Sequence, residues 1–167
     1  MNPSSRGNAV VTIHSLLLQG SGTSEGAIYD RAMEDATMRR AASEARIARL
    51  GTVGADGRPH LVPFCFVIRG DTLYSAVDGK PKSTLALRRL ANVVKDPRVT
   101  VLIDHYSEDW LTLWWVRIDG ACRVLTDNSA ERSEALALLA RKYRQYDTVV
   151  LDGPVLAVDI GHWVAWP

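Results

Sequence analysis

Residues 49–77 read RLGTVGADGRPHLVPFCFVIRGDTLYSAV, and the reading of the fold starts there. Arg49–Val53 is a short apolar run. Ala55-Asp56-Gly57 is a turn of the Asp-Gly kind that joins antiparallel strands. Pro59–Ile68 then predicts one long strand, with His60, Val62, Phe64, Phe66 and Ile68 on one side and Leu61, Pro63, Cys65 and Val67 on the other. Both faces are apolar, which predicts burial on both sides, as in a barrel wall. Pro63 costs one ladder hydrogen bond and points to an edge or a bulge. Arg69-Gly70-Asp71 makes the next turn and Thr72–Val77 the third strand, so the stretch predicts a three-stranded meander.

Working outward, Asp30–Ala48 holds good helix formers and predicts a helix. On the other side, Asp78-Gly79-Lys80-Pro81-Lys82 breaks the pattern. Ser83 or Thr84 is placed to cap a helix carrying Leu85, Leu87, Leu90 and Val94, ended by Asp96-Pro97. Val99–His105 is the fourth strand. Leu113–Leu125 is the fifth, with Trp114, Val116, Ile118 and Val124 facing one way and Arg117, Asp119 and Arg123 the other. Asn128-Ser129-Ala130-Glu131 resembles a capping box that opens a helix to about Tyr143, with Leu136, Leu139 and Tyr143 on its core stripe. Asp152-Gly153-Pro154 is a turn, and Val155–Trp166 supplies the last strand, bent near Gly161. The sum is a mainly β, α+β fold of six antiparallel strands, which avoid open edges by closing into a small barrel.

Composition bounds the function. The chain has 167 residues, 47% hydrophobic and 23% charged, which is one globular domain. Lys+Arg 20 against Asp+Glu 19 gives a net charge of +1, which argues against a nucleic-acid binder that works by bulk charge. Residues 1–28 are rich in Gly, Ser, Asn and Thr and read as a flexible N-terminal extension, leaving 29–167 as the single domain. The longest apolar run there, Ala9–Leu18, is interrupted by Thr12, His14 and Ser15. It falls short of a membrane helix and of a strong secretory signal, so a cytoplasmic location with no membrane partner is expected. Cys65 and Cys122 are far apart and read as small buried hydrophobes. The four histidines, His14, His60, His105 and His162, are scattered, so no metal site is expected. Hydrolase and nucleotide signatures are absent, and no dedicated catalytic group stands out.

Two features carry chemistry. Val77–Thr84 joins a strand to a helix start, where free N–H groups and the helix dipole favour an anion. Lys80 and Lys82 add ammonium groups, and Ser83 and Thr84 add hydroxyls, which makes a phosphate cradle; a solvated loop is the plainer alternative. Arg88, Arg89 and Lys95 extend the positive field or form a wet helix face. Trp110, Trp114 and Trp115 suit a flat heteroaromatic ligand, although the alternation places Trp114 in the core. His60 is placed to donate to a cofactor carbonyl or to pack in its strand.

Taken together, ARLGTVGADGRPHLVPFCFVIRGDTLYSAVDGKPKS, LRRLANVVKDPRVTVLIDHY and WLTLWWVRIDGACRVL resemble the pyridoxamine 5′-phosphate oxidase-like, FMN-binding split β-barrel superfamily. Within it the chain is most similar to the actinobacterial branch of coenzyme F420-dependent oxidoreductases. The resemblance covers about Ala42 to Pro167. It implies a homodimeric split barrel with a flavin-type cofactor, coenzyme F420 or alternatively FMN, in a groove at the dimer interface. The second strand's backbone, His60, Leu61, Val62 and Pro63, is then expected along the ring system. Ser75, Val77, Lys80, Lys82 and Ser83 are expected at the phosphate, and Trp114 and Trp115 from the fifth strand. Relatives often carry Arg at the first basic position; Lys80 replaces a bidentate fork with a point charge. The implied activity is hydride transfer between reduced deazaflavin and a small hydrophobic or conjugated substrate, with water, His60 or Tyr74 as proton donor. An FMN-dependent pyridoxamine-phosphate-oxidase-like or flavin-reductase-like enzyme is the nearest alternative. The C-terminal GHWVAWP offers His162 and no arginine for a substrate phosphate, which counts against a full oxidase. A non-enzymatic cofactor-, haem- or lipid-binding barrel is the third.

Overall fold

In the computed structural model, which describes residues 35–77 and 87–166, the stretch 59–68 is two strands rather than one. The elements run α1 (Asp35–Glu44), β1 (Ala48–Val53), β2 (Pro59–Phe64), β3 (Val67–Arg69), β4 (Thr72–Ala76), α2 (Arg88–Lys95), β5 (Arg98–His105), β6 (Trp114–Leu125), α3 (Ala130–Lys142) and β7 (Val155–Trp166). Short 3-10 turns cover Trp110–Thr112 and Arg144–Asp147. The seven strands form one antiparallel sheet in the order β2-β1-β5-β6-β7-β4-β3. The expected strand number was therefore one short, and the meander does not exist: β2 pairs with β1, and β3 pairs with β4.

This division closes the barrel. β2 and β3 are consecutive in sequence yet occupy opposite edges of the sheet, with only Cys65 and Phe66 between them. Phe64 to Val67 is three Cα steps, at most roughly 11 Å of chain. The sheet must curl until its two edges come within that reach, and no ladder joins β2 to β3, so the barrel is split along this seam. Tyr143 fixes the crossover. Its hydroxyl accepts from Phe66 N–H at 2.9 Å, and its one proton lies within reach of the carbonyls of Phe66 at 2.8 Å and Arg46 at 2.9 Å. Phe66 and Tyr143 are both buried.

The core is the inner sheet face: Leu50, Val101, Ile103, Val116, Ile118, Leu73 and Val158, with Met38 and Ala42 of α1 packed on it at i, i+4. The alternation expected for β6 holds, with Val116, Ile118 and Cys122 buried and Arg117 and Arg123 exposed. The bend expected at Gly161 appears as a register shift. Asp119 pairs with His162 and Gly120 with Ile160, so Gly161 has no partner. Gly120 is required opposite it, because a Cβ there would lie 2.4 Å from the Asp159 carbonyl oxygen.

Several local expectations give way to tertiary demands. β2 is buried on one face only: His60, Val62 and Phe64 turn inward, whereas Leu61 is 67% exposed and Pro63 is exposed too. The helix expected to extend to Ala48 stops at Glu44, because Ala48 pairs with Phe64. The helix carrying Leu90 begins at Arg88 with Leu87 as an N-cap that makes no side-chain cap bond; Ser83 and Thr84 lie outside the described residues. It buries Asn92 and Val93 and leaves Val94 exposed. Ser129, not Asn128, caps α3, accepting from Arg132 N at 3.3 Å. Glu131 does not close a capping box; it accepts from Arg123 and Tyr74 instead. Cys122 is buried as expected, and burial pushes its thiol up to about 12, whereas Cys65 is partly exposed.

Candidate functional site

β2 is an edge strand, so the side of its backbone facing away from β1 has no ladder partner among the described residues. Pro63, which brings no N–H, sits there at no cost to the sheet. β1, the ladder partner of β2, is tied to α2 by a buried polar link. Asn92 Nδ2 donates to Thr52 Oγ1 at 2.9 Å, and Thr52 sits opposite His60 in the ladder. The His60 ring turns toward this interior, where its Nδ1 is buried and has no hydrogen-bond partner.

The outer face of the sheet gathers apolar side chains that the sequence reading did not collect. The register aligns Pro63, Arg49, Leu102, Arg117 and Val164 in one row across five strands, with Leu61, Gly51, Thr100, Asp119 and His162 in the next. Trp115 lies between Asp104 and Trp166 on the same face. Its charges are neutralised in place: Arg49 pairs with Asp104, Arg117 Nε donates to Asp119 at 3.1 Å, and Thr100 donates to the same carboxylate at 2.8 Å. What remains is a mixed face on which Leu61, Pro63, Leu102, Trp115 and Val164 stand among internally paired charges. Only cross-strand register reveals it, because its members are spaced over a hundred residues of chain.

The expected ligand residues divide between the two faces. Leu61, Pro63 and Trp115 are on the outer face. His60, Val62 and Trp114 face inward, and Trp114 packs against the core and stacks on His105 at 6.1 Å. Ser75 is buried on β4, opposite Leu156, and is not on a strand adjacent to β2 or to Trp114 and Trp115. Trp110 is exposed in the 3-10 turn, which Asp109 caps by accepting from Leu111 N at 3.1 Å. Tyr74 is committed elsewhere. Its hydroxyl donates to Glu131 at 3.1 Å, and burial, with that bond, raises its pKa.

Val77 marks where the expected phosphate cradle begins; Lys80, Lys82 and Ser83 lie outside the described residues. The end of β4 is held by the α3–β7 connection. Val77 N donates to the Pro154 carbonyl at 2.9 Å. Gly153 presses so closely on Val77 that a Cβ would stand 2.5 Å from its carbonyl oxygen. Arg132, which the sequence reading passed over, holds this turn: its Nη2 donates to the carbonyls of Asp152 and Gly153, each at 3.0 Å. Among the described residues no three His, Cys, Asp or Glu side chains gather as a metal site, and no helix is long and apolar enough to cross a membrane.

The model of the pyridoxamine 5′-phosphate oxidase family matches residues 35–166, nearly the whole of this sheet and its helices. The chain belongs to that family. Solved structures agree on the split-barrel fold. A conserved hypothetical protein from Mycobacterium tuberculosis has a TM-score of 0.65 at 19% identity, over 82% of this chain and 86% of that one. An FAD-binding protein from Mesorhizobium loti gives 0.62 at 19% identity, over 81% and 95%. The heme storage protein HutZ of Vibrio cholerae gives 0.62 at 14% identity, over 78% and 94%. No curated protein matches the chain. The family resemblance read from the motifs is thus correct, and so is the mainly antiparallel split-barrel class. One of these similar structures is named as an FAD-binding protein and another as a heme storage protein, so the fold alone does not choose the ligand.

Proposed function

We propose that this family member is an oxidoreductase that binds coenzyme F420 in a groove between two copies of the chain. It transfers a hydride between the reduced deazaflavin and a small hydrophobic or conjugated substrate. The observation that carries the reading is β2: an edge strand with no further ladder partner among the described residues, Leu61 exposed on it, and apolar side chains of the outer face continuing through Leu102 and Val164. The polar edge of a flavin-type ring needs a line of backbone donors and acceptors, and its flat faces need apolar walls. β2 offers both, so the residues present fit such a group.

When bound, the cofactor supplies the two-electron chemistry, and the protein binds, orients and excludes water. The backbone of His60, Leu61, Val62 and Pro63 lines the ring. Trp115 walls it from the outer face, with Trp114 behind it in the core. Ser75 and Val77 lead the chain into Lys80, Lys82 and Ser83, which hold the phosphate. A second copy laid on the outer face buries Leu61, Leu102 and Val164 and closes the groove to water, which makes the functional unit a homodimer.

The test is a fluorescence titration of purified apo-protein with coenzyme F420 and, in parallel, with FMN. Tight binding of coenzyme F420 with little for FMN supports the reading. Replacing both Lys80 and Lys82 with Ala should then weaken it roughly a hundredfold, as two charge-assisted contacts would. Tight FMN binding replaces the deazaflavin with FMN and keeps the site. Binding of neither, with uptake of haem, turns the assignment to a non-enzymatic barrel.

A further inference from the structure

Arg123 on β6 and Arg132 in the first turn of α3 meet different surroundings. Arg123 faces two carboxylates: it donates to Asp159 at 2.7 and 2.9 Å and to Glu131 at 3.0 and 3.2 Å. Arg132 faces none among the described residues. Its acceptors among the described residues are two backbone carbonyls, and Asp152 offers it a carbonyl rather than the carboxylate. The Arg132 Nε–H is buried and has no acceptor among the described residues. An unfilled donor on a cation is costly, roughly 1–3 kcal/mol, unless an anion completes it.

The place matters as much as the charge. Arg132 holds Asp152 and Gly153, Gly153 bears on Val77 with no room for a Cβ, and Pro154 accepts from Val77 N. The guanidinium thus fixes the end of β4 from a different element and leaves positive charge beside it. We propose that Arg132 is the positioning residue that gives the end of β4 its preference for a ligand that carries an anionic phosphate ester. This rests on the reading of β4 as the phosphate end of the ligand, and adds to it a residue on α3. The guanidinium both clamps the turn and supplies charge that no described carboxylate cancels.

The experiment measures the thermal midpoint of the full chain against inorganic phosphate, with potassium chloride at matched ionic strength as the control. Phosphate should raise the midpoint of the wild type. In Arg132→Gln, which keeps an amide donor but no charge, the response should vanish. In Arg132→Lys, which keeps charge without the fork, it should be reduced but present. A second readout is the affinity of whichever flavin-type cofactor the wild type binds, coenzyme F420 or FMN, relative to the same ring system without its phosphate; Arg132→Gln should lower that ratio roughly ten- to a hundredfold with the affinity of the phosphate-free ring unchanged. A purely structural Arg132 would lower the midpoint and leave both readouts alone. An equal phosphate response in wild type and variants, or none in the wild type, overturns the proposal. If Arg132→Gln does not fold, an unaltered response in Arg132→Lys does so as well. A phosphate response that depends on Arg132, in a protein that binds neither coenzyme F420 nor FMN, would instead overturn the flavin reading and leave this one standing. Flavin binding with a phosphate response indifferent to Arg132 would do the reverse.

Discussion

Tyr74 and Tyr143 each join α3 and its C-terminal end to the sheet, one through a carboxylate and the other through the backbone. Around Tyr74 every charge has an opposite. Arg123 sits between Asp159 and Glu131, the Tyr74 hydroxyl donates to Glu131, and the guanidinium holds both carboxylates below their ordinary range. Around Tyr143 the cations meet rings and carbonyls instead. Arg46 lies 4.8 Å from the Tyr143 ring centroid. Lys142 lies 4.3 Å from that of Phe66 and donates to the Ser43 carbonyl at 2.8 Å. Burial, and then Arg46, push Lys142 down to about 8, and burial pushes Tyr143 up to about 12. The comparison teaches that the two anchors carry different loads. The first is a screened, partly exposed network that ties β6, β7, β4 and α3 together. The second is a dry joint at the one point where the chain crosses from edge to edge of the sheet.

The largest effect should come from the dry joint. Tyr143→Phe keeps the ring and removes the hydroxyl, leaving the buried Phe66 N–H without its acceptor. Unmade bonds at the crossover should cost about 2–4 kcal/mol, read as a fall in the urea midpoint at constant m. A loss below about 1 kcal/mol would show that the crossover does not depend on that hydroxyl. Arg123→Met should cost less, about 1 kcal/mol, although it breaks more hydrogen bonds. Its side chain is 44% exposed and its partners are also wet, so solvent screens most of the attraction. A loss exceeding that of Tyr143→Phe would reverse the ranking of the two anchors.

The effect sharpest in kind belongs to Lys142→Met, because it changes with pH. Between pH 8 and 10.5 the folded Lys142 has released its proton while the unfolded chain still holds it. The unfolded state then binds more protons, so stability contributed by this residue rises with pH across that window and is flat below it. Cys122 and Tyr143, with raised values, oppose the trend at high pH. The difference between wild type and Lys142→Met therefore isolates the effect, and urea midpoints from pH 8 to pH 10.5 should show the wild type gaining on the variant. A constant difference would mean that the amine is no more buried folded than unfolded.

Much of this was legible one element at a time. Period-two alternation found β6 and its buried side, Pro63 announced an edge, and Gly161 announced the irregularity in β7. The combination of strand, turn and basic-loop motifs also identified the family. What failed did so for one reason. Cys65 and Phe66 are as strand-like as their neighbours, and nothing local says that the chain leaves one edge there and joins the other. Leu61 and Val62 are both aliphatic, yet one is exposed and one turned inward, because β2 meets the core on a single face. Glu131 stood at a capping position and was drawn away by Arg123, which lies eight residues earlier on a different element.

The candidate site divides the same way. The residues of β2 were chosen from their motif, but the outer face that surrounds them is assembled by register from β1, β5, β6 and β7. Arg132 carried no signal, because its importance lies in the carbonyls of Asp152 and Gly153, twenty residues further on. The sequence by itself determined the class of element along most of the described chain, the inward side of each long strand, and the family. Periodicity and turn chemistry act over a few residues, and that is enough for these. Only the tertiary structure decided which strands are edges, which apolar residues stay exposed and which charges find partners. Those depend on what lies across the sheet, and pairing between distant segments is set by barrel closure rather than by any residue's own preference.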